Sequence, residues 1–218
     1  MTLEEYKTKY NTDDAAPGWD AISNHVETFE TAERHYASIV KYSFGGKDPI
    51  DGTSVYDCTE QEPHLHFVTY GMSELYYNEE AVGNDFSRWG FEFTFRLKPF
   101  ADDKGEDPAW VINLMNNLAR YVYDNGRWFE ENHFMPTNSP IRLNTETDIV
   151  GLIFVLDPIL GKIQTPHGEV AFLQMVGITQ QEIDRLLKNP KTSEVEILAN
   201  ELRKSNPLLI TDLNRKSI

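Results

Sequence analysis

The chain has 218 residues, of which 40% are hydrophobic and 12% aromatic, so it is long enough to bury a core without disulfides or metal ions. Its 35 acidic and 20 basic residues give a net charge of −15, which argues against nucleic-acid binding, because neutralising phosphates requires clustered basic side chains. A single cysteine, a polar N-terminus and the lack of a long apolar run predict a cytoplasmic protein without a secretory signal or a membrane span.

The first predicted elements follow a polar lead at residues 1–16, and we expect one domain to occupy residues 17–218. Apolar residues at helical spacing predict a helix over about 17–36. Two strands are expected next, one over 38–44, which ends at a pair of glycines, and one over 64–71.

The clearest strand covers residues 90–98, where apolar and polar side chains alternate. The apolar positions are Phe91, Phe93, Phe95 and Leu97, and the polar positions are Glu92, Thr94, Arg96 and Lys98. Because successive side chains of a strand point to opposite sides, we expect one buried face and one face that is wet or covered by a partner.

The second half of the chain is predicted to alternate helices with strands. One predicted helix covers 108–124, with Pro108 in its first turn. Two further helices are predicted to begin at capping boxes, one at Thr179 to Glu182 and one at Ser193 to Glu196. The predicted strands cover 150–156, 169–176 and 208–213, and a long loop covers 125–140. This irregular alternation predicts a mixed α/β (α+β) domain with one mixed β-sheet flanked by helices.

No motif in the sequence identifies an enzyme. Glycine-rich phosphate loops, the G-x-S-x-G elbow and the zinc-protease signature are all missing. Asp157 follows the apolar strand at 150–156, where α/β enzymes place catalytic groups, but an Asp-Pro pair also starts ordinary turns. We therefore expect a protein that is not an enzyme and that has neither catalytic residues nor a cofactor.

The best metal candidate in the sequence combines Cys58 with His64 and His66. An H-x-H pair on a strand places both imidazoles on one face, and zinc accepts thiolate and imidazole ligands. A fourth ligand is not evident, and histidines on a strand are also typical of buried polar groups that bond to the backbone. We therefore expect a metal-free protein, and a metalloprotein or enzyme centred on these three residues is the alternative.

The negative charge is concentrated in the first half of the chain. Residues 1–110 carry 22 acidic and 9 basic residues, whereas residues 161–218 carry 7 and 8. Two acidic clusters lie in this half. They consist of Glu74, Glu79, Glu80 and Asp85, and of the acidic residues at 102–107. Such a surface either keeps a protein soluble or steers a basic partner towards it.

Seven segments, read together, resemble the Suppressor of fused domain family. They are P-G-W-D-A-I at 17–22, I-V-K-Y-S-F-G-G-K-D-P-I-D at 39–51, H-L-H-F-V-T-Y-G-M-S-E-L-Y at 64–76, W-G-F-E-F-T-F-R-L at 89–97, L-A-R-Y-V at 118–122, Q-T-P-H-G-E-V-A-F-L-Q-M-V-G-I-T at 164–179 and L-L-I-T-D-L at 208–213. The segments occur in the family's order and span almost the whole chain.

The resemblance implies a mixed α/β domain that binds proteins and is not an enzyme. Animal members of the family hold Gli-type transcription factors inactive, and single-domain bacterial relatives are proposed to be immunity proteins that block secreted toxins. We therefore expect an immunity-type protein that neutralises a cognate toxin by direct binding. The alternative is a binding regulator of an endogenous protein.

The resemblance also implies where a partner binds. The peptide contacts of the animal proteins include a tyrosine that aligns with Tyr76 and an aspartate for which Asp85 is the nearest match. Tyr77, Glu79 and Glu80 lie between them in the acidic cluster, and tyrosine is enriched in binding hot spots. We predict that these five residues contact a basic protein, and neither nucleic acid nor a membrane; packing of a strand end on the core is the other interpretation of Tyr76.

Overall fold

The computed structural model describes residues 1–12, 14–31, 33–38, 42, 45–99 and 109–218. Within these ranges the chain forms five α-helices and eight strands. The helices are α1 (Leu3–Lys9), α2 (Pro17–Val26), α3 (Ala109–Asn125), α4 (Gln180–Lys188) and α5 (Thr192–Arg203). The strands are β1 (Glu33–Ala37), β2 (Gly52–Cys58), β3 (His64–Tyr70), β4 (Phe86–Leu97), β5 (Phe134–Pro136), β6 (Ile149–Leu156), β7 (Lys162–Thr165) and β8 (Gly168–Thr179). None of the helices in the described part of the chain is long and apolar enough to cross a membrane.

One mixed sheet contains all eight strands, in the order β1-β2-β3-β4-β8-β6-β5, with β7 paired to β8. The central pair, β4 and β8, is parallel, and Phe93 lies opposite Leu173. The other pairs are antiparallel. A mixed sheet flanked by helices confirms the fold class predicted from the sequence.

Helix α3 covers one face of the sheet. Its buried residues Met115 and Val122 pack in a large apolar cluster with the side chains that β4 directs to this face. Phe91, Phe93, Phe95 and Leu97 are all buried there. The apolar half of the predicted alternation is therefore confirmed, because these four side chains form one continuous core stripe.

The opposite face is covered by α2 at one end and by α4 with α5 at the other. Ile22 and Val26 of α2 pack with Tyr56, Tyr70 and other residues of one apolar cluster. The two C-terminal helices form a separate cluster with β6 and β8. Between the two clusters the face is polar.

This polar face of β4 is buried, so the expectation of a wet or partner-covered face is wrong. Glu92, Thr94 and Arg96 are as inaccessible to solvent as the phenylalanines that alternate with them. Strand alternation reports which side chains differ in polarity, but it does not report whether other elements of the same chain cover the polar side. Here the covering elements hydrogen-bond to these side chains.

Other elements also differ from the sequence predictions, and β5 and β7 form where no strand was predicted, β5 within the predicted loop at 125–140. Helix α2 ends at Val26, although the sequence predicted a helix to about residue 36. The last part of that predicted helix forms strand β1, which pairs continuously with β2 from Glu33 to Ala37. Strand β2 was not predicted. The segment at 208–213 forms a single parallel bridge, Leu97 to Thr211, although it is buried. Helix α5 begins after Lys191 without a side-chain cap, whereas the capping box of Thr179 and Glu182 is present.

Two further predictions fall outside the described residues. They concern the strand at 38–44, of which only Ser38 and Tyr42 are described, and the acidic cluster at 102–107.

Candidate functional site

The segment between β3 and β4, residues 74–85, is called the acidic loop here. It contains a single turn of 3₁₀ helix, Glu79–Ala81. The Asn78 side chain caps this turn, because it accepts a hydrogen bond from the backbone N–H of Glu80 at 3.1 Å. Glu79, Glu80 and Asp85 are all exposed. Tyr77 is exposed as well, so the structure places four of the five predicted contact residues at the surface.

A buried carboxylate holds the start of the acidic loop. Glu92 of β4 accepts hydrogen bonds from the backbone N–H groups of Gly71, Met72 and Ser73 at 3.0, 3.3 and 2.9 Å. The hydroxyl groups of Ser73 and Thr69 also donate to it, at 2.6 and 2.8 Å. Burial raises the pKa of Glu92, and these five donors oppose that shift. The polar face of β4 thus fixes the turn from which the loop departs.

The N-terminus of α2 and the turn between β7 and β8 hold the loop from either side. The N–H groups of Gly18 and Trp19 donate to the Leu75 carbonyl at 3.0 and 3.2 Å. A Cβ at Gly18 would lie 2.0 Å from the Glu74 carbonyl oxygen, so only glycine fits there. His167 Nδ1 donates to the same Glu74 carbonyl at 2.9 Å.

Helix α1 packs against the outside of the loop, within the stretch interpreted from the sequence as a polar lead. Tyr6 is fully buried, and its hydroxyl accepts from the Asn78 N–H at 3.0 Å and bonds to His167 Nε2 at 2.8 Å. The Tyr6 ring stacks on Tyr77, with ring centroids 5.0 Å apart. Burial raises the pKa of Tyr6 and lowers the pKa of His167, so both groups are neutral at this contact.

Tyr77 and Glu79 therefore already have partners within the chain. The Tyr77 hydroxyl donates to Glu79 Oε1 at 2.8 Å, and Lys7 Nζ lies 2.9 Å from Glu79 Oε2. Glu80 and Asp85 have no such contact with α1. Any partner that reaches the loop meets these two carboxylates more readily than it meets Glu79.

Tyr76 is half-buried and packs against the apolar cluster that α2 shares with the sheet. Burial and a hydrogen bond with Asp51 raise the pKa of the Tyr76 phenol well above its ordinary value. These contacts fit the interpretation of Tyr76 as a side chain that packs a strand end on the core.

A groove of about 500 Å³ adjoins the acidic loop, because Phe86 follows Asp85 directly and lines it. Other aromatic side chains in this aromatic groove are Trp89, Trp128 and Phe129. Phe86 and Trp128 are 60% and 52% exposed. The groove also contains both signs of charge, because Arg88, Glu130, Glu131, Lys162 and Glu169 line it.

A bulge in β4 creates this groove. The pairing of β4 with β8 shifts register between Phe86 and Phe91, and Arg88 and Gly90 have φ values of 55° and 79°. The extra residues bend the strand and turn Trp89 towards Trp128, 6.4 Å away between ring centroids. The groove could not be predicted from the sequence, because Trp128 comes from a loop whose position the local pattern does not specify. A Gly after Trp89 in a strand was the available signal of a bulge.

The sequence-predicted metal residues are only partly brought together. Cys58 and His66 converge, but His64 turns away, because its Nε2 accepts from Arg96 Nη1 at 3.0 Å and its Nδ1 donates to the Glu62 carbonyl at 2.8 Å. The third residue beside Cys58 and His66 is Glu30, from the segment after α2.

These side chains belong to a buried polar network centred on Arg96 and Asp157. Arg96 Nη2 lies 3.3 Å from Asp157 Oδ1, and Thr94 Oγ1 donates to Asp157 Oδ2 at 3.0 Å. The N–H groups of Ile159 and Leu160 also donate to Asp157 at 2.9 and 3.0 Å. Burial alone would raise the pKa of Asp157, but the imidazole of His66, 3.2 Å away, and the guanidinium of Arg96 hold the pKa of this carboxyl well below its usual value. Asp157 therefore has a structural role in the turn, as its Asp-Pro pair allowed.

Comparison with known proteins gives consistent results at three levels. The sequence model described as Suppressor of fused protein (SUFU) matches residues 46–216. The human Suppressor of fused homolog is 35% identical over 187 residues, which are 82% of this chain and 38% of the human protein. The mouse homolog is 34% identical over the same length. The chain thus spans about two fifths of the length of the curated relatives it matches.

Solved structures share the fold. A chain of the Sufu–Fu complex superposes with a TM-score of 0.81 at 26% identity, covering 93% of this chain and 92% of that one. Drosophila Suppressor of Fused gives a TM-score of 0.80 at 26% identity, covering 93% of this chain and 51% of that one. A SUFU homolog from Neisseria gonorrhoeae FA 1090 has a TM-score of 0.57 at 15% identity, covering 92% and 96%, and shows likeness of fold alone.

Proposed function

Because this chain belongs to the Suppressor of fused family, we propose that it acts by binding another protein through the acidic loop and the aromatic groove together. The observation that carries this proposal is the exposure of Phe86 and Trp128 beside the loop. Large aromatic side chains exposed next to one another are costly in water and are typical of binding surfaces. A structure within the family that contains Sufu together with Fu is consistent with this mode of action.

The two parts of the surface have different roles in this proposal. The aromatic groove supplies apolar area that is removed from water on binding, which slows dissociation. The exposed carboxylates of Glu80 and Asp85 attract a basic partner over a longer distance, which speeds association. Tyr76 is a half-buried part of this surface, whereas Tyr77 and Glu79 reach a partner together with the α1 residues that they contact.

For the biological role we propose an immunity-type protein that blocks a cognate toxin. The net charge of −15 supports this role, because a toxin that cleaves nucleic acid has a basic substrate cleft that an acidic surface complements. A regulator of an endogenous protein is the second candidate, and the identity to the human and mouse homologs favours it. The protein captured in the experiment below separates these two roles.

The experiment is affinity capture from the source cell with the wild-type chain and a double variant, Phe86→Ala with Trp128→Ala. Both side chains are mostly exposed, so the variant is expected to stay folded, which circular dichroism checks. A partner retained by the wild type and lost by the variant supports the proposal. A partner that both chains retain equally places the binding surface elsewhere. A captured toxin supports the immunity role, and a captured host regulator supports the alternative.

A further inference from the structure

One group of three metal-ligating side chains lies outside the surface described above, among the residues that the structure describes. Glu30 follows α2, Cys58 ends β2 and His66 lies within β3. Their candidate ligand atoms all lie within 4.8 Å of one another. Three distant parts of the sequence therefore converge on one point.

The Glu30 carboxylate lies between the other two groups. Cys58 Sγ donates to Glu30 Oε2 at 2.9 Å, and His66 Nδ1 donates to Glu30 Oε1 at 2.8 Å. A tetrahedral zinc ion holds such ligands roughly 3.5 Å apart, given bond lengths near 2.0–2.3 Å. The ion would replace the two hydrogens that Cys58 and His66 donate to Glu30. The sulfur, nitrogen and oxygen atoms would need to move apart only slightly to bind it.

The far side of His66 faces a carboxylate, the kind of group that commonly accompanies a metal-bound histidine, although His66 Nε2 makes no hydrogen bond with the described residues. Its Nε2 lies 3.2 Å from Asp157 Oδ2, and Asp157 is fully buried and fixed by Thr94 and by two backbone N–H groups. A carboxylate at this nitrogen keeps the proton on Nε2 and leaves the Nδ1 lone pair for the metal. His66 itself is inaccessible to solvent, so its orientation is set by this contact.

The charges of the network allow the exchange. Both ring nitrogens of His66 face carboxylate oxygens, and Arg96 Nη1 lies 3.9 Å from Glu30 Oε1. If one Zn²⁺ enters, the Cys58 thiol releases its proton, and the thiolate together with the Glu30 carboxylate balances the charge of the ion. The guanidinium of Arg96 lies 3.9 Å from this carboxylate and therefore does not prevent binding.

A cavity of about 510 Å³ connects this point with solvent. Glu30, Cys58 and Arg96 line its inner part, and the exposed side chains of Asp57 and Glu60 also line it. Acidic residues at an entrance raise the local concentration of cations. The cavity also leaves room for a fourth ligand on the ion.

We propose that Glu30, Cys58 and His66 form a zinc-binding site whose fourth position is open to this cavity. A thiolate, an imidazole and a carboxylate are a ligand set that Zn²⁺ accepts, and three protein ligands with one open position are typical of accessible zinc sites. This proposal differs from the expectation of a metal-free protein, which rested on the lack of a fourth ligand beside Cys58, His64 and His66 and did not consider Glu30.

The test is a titration of the metal-stripped full chain with Co²⁺, followed by displacement with Zn²⁺. One equivalent of Co²⁺ is expected to produce a thiolate-to-cobalt charge-transfer band in the near ultraviolet, and Zn²⁺ is expected to abolish it. Zinc binding near neutral pH is expected to release the proton of the Cys58 thiol, measured as the dependence of the binding enthalpy on the buffer. Asp157→Asn is expected to weaken Zn²⁺ binding about 10- to 100-fold.

The variants decide whether the ion occupies this site. Cys58→Ser is expected to abolish the charge-transfer band, and Glu30→Gln is expected to weaken binding. The amide has the size of the carboxylate that it replaces, and circular dichroism checks that this variant stays folded. The control is His133→Gln, which removes a partly exposed histidine near Glu130 and leaves binding unchanged. If Cys58→Ser does not fold, Glu30→Gln and the wild-type spectrum give the answer. No band with stoichiometric Co²⁺ in the folded wild type, or a band that persists in Cys58→Ser, overturns the proposal.

Discussion

Two groups of carboxylates in this molecule have opposite surroundings. Glu30 and Asp157 are enclosed by the sheet and bonded to Arg96, His66 and backbone N–H groups. Burial opposes ionisation of both, but their hydrogen bonds and the charges beside them lower the pKa of each below its usual value. Glu80 and Asp85 of the acidic loop extend into solvent.

The difference shows that equal formal charge has unequal consequences. A buried charge is tied to its partner, so removing either one leaves the other without compensation and destabilises the fold. An exposed charge is screened and mobile, so its removal hardly changes stability but alters the field that an approaching partner meets. The first group therefore belongs to the architecture, and the second is available for recognition.

The largest expected effect is that of Asp157→Ala. Loss of this carboxylate leaves the buried charge of Arg96 with only the more distant Glu30 to compensate it, so we expect the free energy of unfolding to fall by about 3–5 kcal/mol. The control is Asp57→Ala, which removes a carboxylate from an exposed pair with Arg34 and costs at most about 1 kcal/mol. Urea denaturation measures both, and equal losses would remove the distinction between the two groups.

The second prediction concerns the aromatic groove. Phe86→Ala is expected to weaken binding of the captured partner by about 2 kcal/mol, chiefly through faster dissociation, because a buried aromatic anchor is lost. Stability is expected to change little, since Phe86 is 60% exposed in the free protein. Ile197→Ala is the control, because Ile197 is also exposed but lies on α5. Surface plasmon resonance gives the dissociation rates, and equal rates for the two variants would contradict the role of the groove.

The third prediction concerns pH and the contact between α1 and the acidic loop. Burial lowers the pKa of His167, so below about pH 6.5 the unfolded chain takes up a proton that the folded chain does not. The buried, neutral His167 therefore makes its whole contribution to the free energy of unfolding above that pH. This contribution decreases as the pH falls, by at most about 1.4 kcal/mol per pH unit. His167→Gln should show a shallower slope between pH 5 and 7 in urea denaturation, and an unchanged slope would show that His167 is not the titrating group.

The amount that the sequence could predict depends on whether the determining contacts are local. The stripe of Phe91 to Leu97 and the capping box of Thr179 follow from residues that are neighbours in the chain, so both were predicted. The burial of Glu92 and its five hydrogen bonds depend on the turn after β3, which comes from another part of the sequence. No local pattern reveals that contact.

The candidate site shows the same limit. Exposure of Glu80 and Asp85 follows from their hydrophilic surroundings, whereas the cover of α1 over Tyr77 depends on Tyr6 filling a pocket beside His167. Convergence of Glu30 with Cys58 and His66 likewise needs the position of the chain after α2. Three of the segments that resemble the family meet at the acidic loop, because Gly18, Glu92 and His167 each contact this loop or the turn before it.

The smallest expected effect on stability is that of reversing the two exposed carboxylates of the loop. Glu80→Lys combined with Asp85→Lys is expected to change the free energy of unfolding by no more than about 0.5 kcal/mol, because neither carboxylate is buried. Glu79 is kept, since it holds Lys7 and Tyr77. The matched control reverses Glu146 and Glu196, which are exposed elsewhere and give the same change in net charge. Thermal denaturation of both variants measures this, and a large loss in the loop variant alone would assign its carboxylates a structural role.

The same two variants provide the most direct test of the claim that the acidic loop recognises a basic protein. The measurement is the association rate with the captured partner over a series of salt concentrations. If the acidic loop attracts a basic partner, the loop variant associates more slowly than the control and with a flatter salt dependence, while its dissociation rate changes little. Association rates that are identical for the loop variant and the control at every salt concentration would contradict this claim, because the loop would then have no part in attracting the partner.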